Sequence, residues 1–387
     1  MGMTEALREV AVIGGGMTVF GKFPERTQES LGREAMLAAM KDAGVKPRDV
    51  GFASCGTVYG GWCVGQRMLK EVGVSDMEFL NVENACASGA SAFREAWLRV
   101  AVGQCDIAIA GGVESMTTSP VAGKLIPPPP DDVDGQLGLT VPMFFALMMR
   151  RHMHEYGTTP EQFARVSVKN HDNGCLNPFS QYQRRLTVEE ILASRMVCDP
   201  ISLLQCCPNS DGAAAVVLCA GGIARRFTAT PMVVAASVLG SGDYLHRWED
   251  ATFSDMSHKA AMSAYEMAGM GPEEIDLVEL HDAFTVAEIM HYEDLGLCAK
   301  GEGGRFIDSR GPWLDGSVPV NPSGGLLSKG HPLAATGVAQ VVEVWRQLRG
   351  AAGKAQVKGA RTALTHVMGG YVSGLESGAV SVHIFKI

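Results

Sequence analysis

The stretch Ala43-Gly44-Val45-Lys46-Pro47-Arg48-Asp49-Val50 recurs 225 positions later as Ala268-Gly269-Met270-Gly271-Pro272-Glu273-Glu274-Ile275. Each copy reads as the end of a helix, a glycine stop, a proline-led turn and the start of an apolar strand. The match extends backwards, with Ala35, Leu37 and Met40 aligned to Ala260, Met262 and Tyr265. Helix–glycine–turn–strand is a common order, and one short match would carry little. The length of this one makes internal duplication the preferred reading. Duplication of such a unit predicts two similar α/β halves.

Around the first copy, Val10 to Ile13 reads as a strand that breaks at Gly14, and Ser30 to Ala43 as a helix. Asp49 to Ala53 and Met77 to Val82 read as strands, Cys86 to Gly103 as an Ala-rich helix, and Ile107 to Ala110 as a strand ending at Gly111-Gly112. This alternation predicts an α/β fold with mixed sheets. After it, Pro127-Pro128-Pro129-Pro130 makes a stiff extended loop, and Val141 to Tyr156 and Pro160 to Gly174 read as helices. The apolar run Ala213 to Ala220 looks like a strand returning to the first half. The expected organisation is therefore residues 1–112 with 210–228 as the first half, 113–209 as an inserted loop domain, and 229–387 as the second half. Insertions of this size on an α/β core often cover a site.

Composition narrows the function classes. The chain has 387 residues, 46% apolar and 19% charged, with a net charge of −9. Apolar content at that level offsets chain entropy over most of the length. An acidic balance argues against a nucleic-acid or membrane-surface binder. The longest apolar run, Ala213 to Ala220, is far short of a membrane span. Glu5, Arg8 and Glu9 before Val10 point to a first strand and not a signal peptide. Ten scattered cysteines without metal spacing read as reduced thiols, which implies a cytoplasmic protein.

Several residues invite chemistry. Gly14-Gly15-Gly16 follows a strand, but Gly-x-Gly-x-x-Gly fails at Val19, so a turn is expected there and not a dinucleotide site. His152 and His154 are two apart on a helix and cannot chelate one ion together. With Arg150 and Arg151 they suggest a polar helix face or a phosphate-binding surface, and no metal site is expected. Cys86, in Asn84-Ala85-Cys86-Ala87-Ser88-Gly89, lies between a strand and a helix. There the positive end of the dipole favours thiolate. On position alone, a reactive thiol and an ordinary buried cysteine stay equally open. His331, in Gly330-His331-Pro332, opens a second helix, Ala334 to Leu348, at the equivalent junction of the other half. Internal symmetry would bring the two together as a nucleophile and its base. His281-Asp282 ends an apolar strand, with Asp282 expected to cap the helix behind it and His281 to face the site. His366-Val367-Met368-Gly369-Gly370-Tyr371 ends another strand, where backbone N–H groups could stabilise an oxyanion.

Taken together, the motifs resemble the thiolase superfamily over nearly the whole chain. They are Asn-Ala-Cys-Ala-Ser-Gly at Cys86, Gly-Gly-Val-Glu-Ser-Met at Gly111, Ser-Asp-Gly-Ala-Ala-Ala at Ser210, Asn-Pro-Ser-Gly-Gly at Asn321 and Gly-His-Pro at His331. His-Asp-x-Phe at His281 is similar to the sterol-carrier-protein thiolases and the archaeal acetyl-CoA acetyltransferases. The resemblance implies a five-layer αβαβα fold, a homodimer or homotetramer, and coenzyme A thioesters as substrates with no permanently bound cofactor. It implies Cys86 as acyl-accepting nucleophile, His331 as its base, and His281 as holder of an oxyanion-hole water. It implies the N–H groups of Cys86 and Gly369 as a second oxyanion hole. An OB-fold partner protein, needed by some relatives, is the further expectation on partners.

One departure stands out. A thiolase usually has a second cysteine as acid and base for the carbon–carbon step. The two places for it hold Val367 and Ala283. His366, Tyr371 and a water held by His281 are the candidates for that role.

Overall fold

The computed structural model describes residues 7–128, 130–244, 250–370, 372 and 377–387. Tyr371, one of the three candidates above, lies outside the described residues. The strands of the first half are β1 (Val10–Met17), β2 (Phe52–Gly56), β3 (Glu78–Val82) and β4 (Ile107–Ser115). A small hairpin, β5 (Met196–Cys198) and β6 (Ile201–Ser202), belongs to the inserted stretch, and β7 (Asp211–Ala220) follows it. The second half contributes β8 (Met232–Gly240), β9 (Leu277–Glu279), β10 (Thr362–Gly369) and β11 (Ala379–Lys386).

The strand order is β3-β2-β4-β7-β1-β8-β11-β10-β9. Outward from the central β1–β8 pair the two sides match, β7, β4 and β2 against β11, β10 and β9, with β3 left over. β2 runs parallel to β4 as β9 does to β10, and β4–β7 and β7–β1 are antiparallel as are β10–β11 and β11–β8. Where β3 would have its counterpart, Val320 makes a single parallel bridge to Val278. The halves join through two residue pairs, Ala11 with Val233 and Val12 with Met232. Phe52 at the start of β2 and Leu277 at the start of β9 stand at the spacing of the sequence repeat.

Strand alternation sorts the core into layers. Val10, Val12, Ala214 and Val216 point to one side with Phe93, Trp97, Val338, Val342 and Trp345. Those side chains come from α3 (Ser88–Ala101, named after α1, Gln28–Ala43, and α2, Val64–Val72) and from the helix Thr336–Leu348. Phe385 and Ala363 of the second half close the same layer. Ala11, Ile13, Ala215 and Val217 point the other way, onto α1 and α2. In the second half, Leu364, Val382 and Ile384 face the helices Asp255–Ala268 and Thr285–Asp294, and the inserted helices Val141–Tyr156 and Pro160–Gly174 join that cluster. The result is helix, sheet, helix, sheet, helix.

Two expectations are corrected here. Gly14-Gly15-Gly16 is not a turn but continues β1. A Cβ on Gly14 would lie 2.7 Å from the Ala39 carbonyl oxygen, and one on Gly16 2.6 Å from that of Ala35. The glycines let α1 lie directly on the strand. His152 is not on a polar face: it is fully buried, with its ring between the Thr158 hydroxyl at 2.9 Å and Glu293 at 3.0 Å. No helix among the described residues is long and apolar enough to cross a membrane.

Candidate active site

Cys86 sits in a single 3₁₀ turn, Ala85–Ala87, that runs into α3. The turn is forced: Ala85 has φ +47, in the left-handed region that a residue with a side chain seldom adopts. The Ser88 hydroxyl holds it, accepting from the Asn84 N–H at 2.9 Å and donating to the Ala85 carbonyl at 2.6 Å. The equivalent turn in the second half is Leu333–Ala335, ahead of Thr336–Leu348, and His331 precedes it. Glycines allow the two turns to meet. Cβ atoms on Gly89 and Gly112 would stand 2.2 and 2.3 Å from the Ala334 carbonyl oxygen, and one on Gly337 2.6 Å from the Ala90 nitrogen. Any side chain at these positions would push the halves apart.

With the halves in contact, His331 Nε2 lies 3.2 Å from Cys86 Sγ. Its Nδ1 lies 2.8 Å from Thr336 Oγ1, whose hydroxyl donates to the Pro332 carbonyl at 3.3 Å. A hydroxyl spending its proton there can only accept from Nδ1–H, which leaves the Nε2 lone pair facing the thiol. The His331 N–H donates to Ser210 Oγ at 3.0 Å, fixing the backbone. His281 meets His331 edge-on, with ring centroids 5.2 Å apart.

These residues open into a cavity of about 1460 Å³. Cys86, His281 and His331 line it with Gly370, and Phe145 and Phe284 stack across another wall with centroids 4.4 Å apart. Gly369 itself is not on the wall. It sits beneath the Cys86 turn, where a Cβ would be 2.0 Å from the Asn84 carbonyl oxygen. The backbone N–H groups directed at the Cys86 sulfur are those of Gly370 and of Cys86 itself. Of the two glycines it is thus Gly370, and not the expected Gly369, that lines the cavity and turns its N–H towards Cys86.

The electrostatics correct a second expectation. Burial pushes the Cys86 thiol up to about 12, against the lowering effect of those N–H groups. A helix N-terminus contributes only about 0.3–2 kcal/mol, too little to offset removal from water. Burial likewise lowers His331 to about 3, and it lowers His281 well below the usual histidine range, helped by His331 and His291. Both shifts favour the neutral pair, a thiol hydrogen-bonded to an uncharged imidazole. Between about pH 3.5 and pH 7.5, where an activated thiolate would titrate, the thiolate absorbance difference between wild type and Cys86→Ala should stay flat and near zero. A step near neutrality would mean a resting ion pair instead.

Asp282 does not cap its own helix. Its carboxylate accepts from the Leu326 and Leu327 N–H groups at 2.7 and 3.2 Å, tying the His281 strand end to the segment that leads to His331. Behind it lies a network that sequence reasoning missed. Lys169 and Glu288, both fully buried, pair at 2.8 Å. Glu288 also accepts from Asn170 and Asn321 at 2.7 and 2.8 Å. Asn321 Oδ1 in turn accepts from the Leu280 N–H at 2.8 Å. Glu114, in the Gly-Gly-Val-Glu-Ser-Met motif, accepts from the Val58 and Tyr59 N–H groups, and burial raises it to about 7. Cys86 Sγ and the ring nitrogens of His281 and His331 all lie within 4.8 Å of one another, a soft donor set that a zinc-sized ion could also occupy.

A thiol held against the bare nitrogen of an oriented imidazole, where the two α/β halves meet, is an arrangement suited to covalent thiol chemistry. Comparison with known proteins gives the family. Residues 10–222 match the thiolase N-terminal domain and residues 239–381 the thiolase C-terminal domain-like model. The chain belongs to the thiolase family and is a thiolase-type acyltransferase. It is 45% identical to an acetyl-CoA acetyltransferase of Methanothermobacter thermautotrophicus, over 98% of this chain and 100% of that one. It is 39% identical to sterol carrier protein 2 of Gallus gallus, over 94% of this chain and 70% of that one. A solved structure, the Ltp2-ChsH2(DUF35) aldolase, superposes with a TM-score of 0.85 at 26% identity, over 98% and 97% of the two chains.

Proposed function

We propose that Cys86 is the acyl-accepting nucleophile of a coenzyme A-dependent carbon–carbon acyltransferase, with His331 as its base. The observation that carries this reading is the 3.2 Å contact between Sγ and an Nε2 whose tautomer is fixed from behind. Sγ attacks the thioester carbonyl carbon while its proton passes to His331 Nε2. The oxyanion is received by N–H groups of the Cys86 turn and of the Gly369-Gly370 turn. The C–S bond to coenzyme A breaks, and the departing thiolate takes the proton from His331. The acyl group then passes to the α-carbon of a second thioester, with His281 holding the water that stabilises the enolate oxygen. Each oxyanion donor is worth about 3 kcal/mol. With the neutral resting pair, proton transfer accompanies attack and does not precede it.

The same reading divides the chain into residues 1–112 with 210–228, the insertion 113–209, and 229–387. It takes the protein to be cytoplasmic and a homodimer or homotetramer. The terminal strand β3 supports association, since it lies at the end of the sheet with its side chains partly exposed. An OB-fold partner is supported by the two-component name of the aldolase neighbour. The Cys–His–His set serves as reacting groups, because a metal-bound thiolate could not carry an acyl group.

The test is intact-protein mass after brief exposure to a panel of acyl-CoAs, followed by free coenzyme A or acetyl-CoA. An adduct that coenzyme A discharges, and that acetyl-CoA converts to a 3-oxoacyl-CoA, is the expected result. Discharge without a new carbon–carbon bond would move the function to another acceptor. No adduct, together with cleavage of a 3-hydroxyacyl-CoA, would move it to aldol chemistry.

A further inference from the structure

The carbon–carbon step needs a group to take a proton from carbon, and neither usual position holds a thiol: Ala283 and Val367 stand there. His366 is fully enclosed, bonded through Nε2 to the Ser257 hydroxyl at 3.0 Å, and it does not line the cavity. His291 does, as do His281, Ala283 and Met368. It lies in the helix Thr285–Asp294, whose Ala287 and Met290 also face the cavity. Its Nδ1 is held by Asp294 Oδ2 at 3.0 Å, and both side chains are buried. Asp294 is itself fixed, accepting from the Ser254 N–H at 3.2 Å. A carboxylate on one ring nitrogen orients the ring and leaves the other nitrogen as the one free to exchange a proton.

Two more ring nitrogens point to what links His291 to the substrate. Nδ1 of His281 and Nδ1 of His366 are buried with no hydrogen-bond partner among the described residues. The His366 ring crosses that of His291 with centroids 4.5 Å apart. Buried polar atoms of this kind are normally satisfied, and a water needs two to four polar partners.

We infer that the proton of the carbon–carbon step travels through a water held between His281 and His291, with the His291–Asp294 pair as its acceptor and donor. This rests on the acyl-transfer reading above. His291 is one water removed from carbon, so it is a positioning and relay residue. In the condensing direction the C–H bond of the bound acetyl-CoA breaks and its proton passes through the water to His291. The carbanion attacks the acyl carbon on Cys86, the C–C bond forms and the C–S bond to Cys86 breaks. The proton then returns from His291 through the water and the histidines to the Cys86 thiolate. Nothing is oxidised, and no further reactant is needed.

The experiment separates the two half-reactions. His291→Gln should take an acetyl group from acetyl-CoA within about twofold of the wild-type rate. Its condensation, and the exchange of acetyl protons with solvent deuterium, should fall by about 10²–10⁴, the usual worth of one acid–base group. In His291→Ala, added imidazole should restore part of the exchange, which a merely structural residue would not allow. Unchanged exchange in His291→Gln overturns the relay, as does an equal fall in both half-reactions without rescue. Loss of exchange in His366→Gln alone, or in a Cys207→Ala variant that removes another thiol of the cavity wall, would assign the role elsewhere. A wild-type protein that takes no acyl group at all would sink the acyl-transfer reading and the relay together.

Discussion

Cys86→Ala should leave the protein folded, take no acyl group from any acyl-CoA, and lose carbon–carbon transfer by about 10⁴ or more. The fold survives because only Sγ is removed, from a side chain that faces the cavity between Ala85 and Ala87. His331→Ala should slow acylation nearly as much, since a thiol pushed up to about 12 by burial needs a base at hand and His331 Nε2, 3.2 Å away, is the one in hydrogen-bond contact. The double variant should be scarcely worse than either single one, because nucleophile and base act as a unit. Intact mass and steady-state thiolysis read all three. An adduct that persists on Cys86→Ala would place the nucleophile elsewhere on the cavity wall, where Cys206 and Cys207 also lie. Additive losses in the double variant would mean that His331 does not act through Cys86.

The duplication was legible because a glycine stop and a proline-led turn impose the same backbone wherever they occur. Both copies end a helix at a left-handed glycine, Gly44 and Gly269, and lead through a short 3₁₀ turn into the next strand. The pairing of Cys86 with His331 followed from equivalence of position. The depth at which they meet did not. A sequence shows that a thiol opens a helix, but the water excluded when two halves close on Gly89, Gly112 and Gly337 belongs to the assembled core. Hence the sequence shows the sign of the dipole's effect on the thiol but not the burial that outweighs it. Gly14 to Gly16 misled for a related reason: glycine signals either a turn or a close approach, and only the position of α1 decides between them. Asp282 lies where a cap belongs, yet the N–H groups it satisfies are some forty residues away. His291 had a signal that passed unread. With Asp294 it forms an i, i+3 pair on the helix directly after His281-Asp282, and such a pair shares one face.

Lys169→Met should cost about 3–5 kcal/mol, the usual penalty for leaving one member of a buried ion pair uncompensated. Lys169 Nζ pairs with Glu288 and also donates to Asn170 Oδ1 and the Val320 carbonyl, each at 2.6 Å. Methionine fills the space and satisfies none of them. Glu288 would keep its donors from Asn170, Asn321 and the Tyr292 hydroxyl but lose its countercharge, beside an Asp282 carboxyl already raised by burial and by the Glu288 charge. Adding Glu288→Leu to Lys169→Met should recover at least half of the loss in denaturant midpoint, because an apolar pair of similar volume no longer has to be desolvated. Activity should not recover with it. Asn321 loses the acceptor that fixes its side chain, and with it the hold of Oδ1 on the Leu280 N–H, next to His281. The double variant should therefore take an acyl group on Cys86 yet transfer it to carbon at least tenfold more slowly. The buried pair then acts as a jig for His281 more than as a source of stability. A single variant within about 1 kcal/mol of wild type, or a double variant with full carbon–carbon transfer, would remove that role from the network.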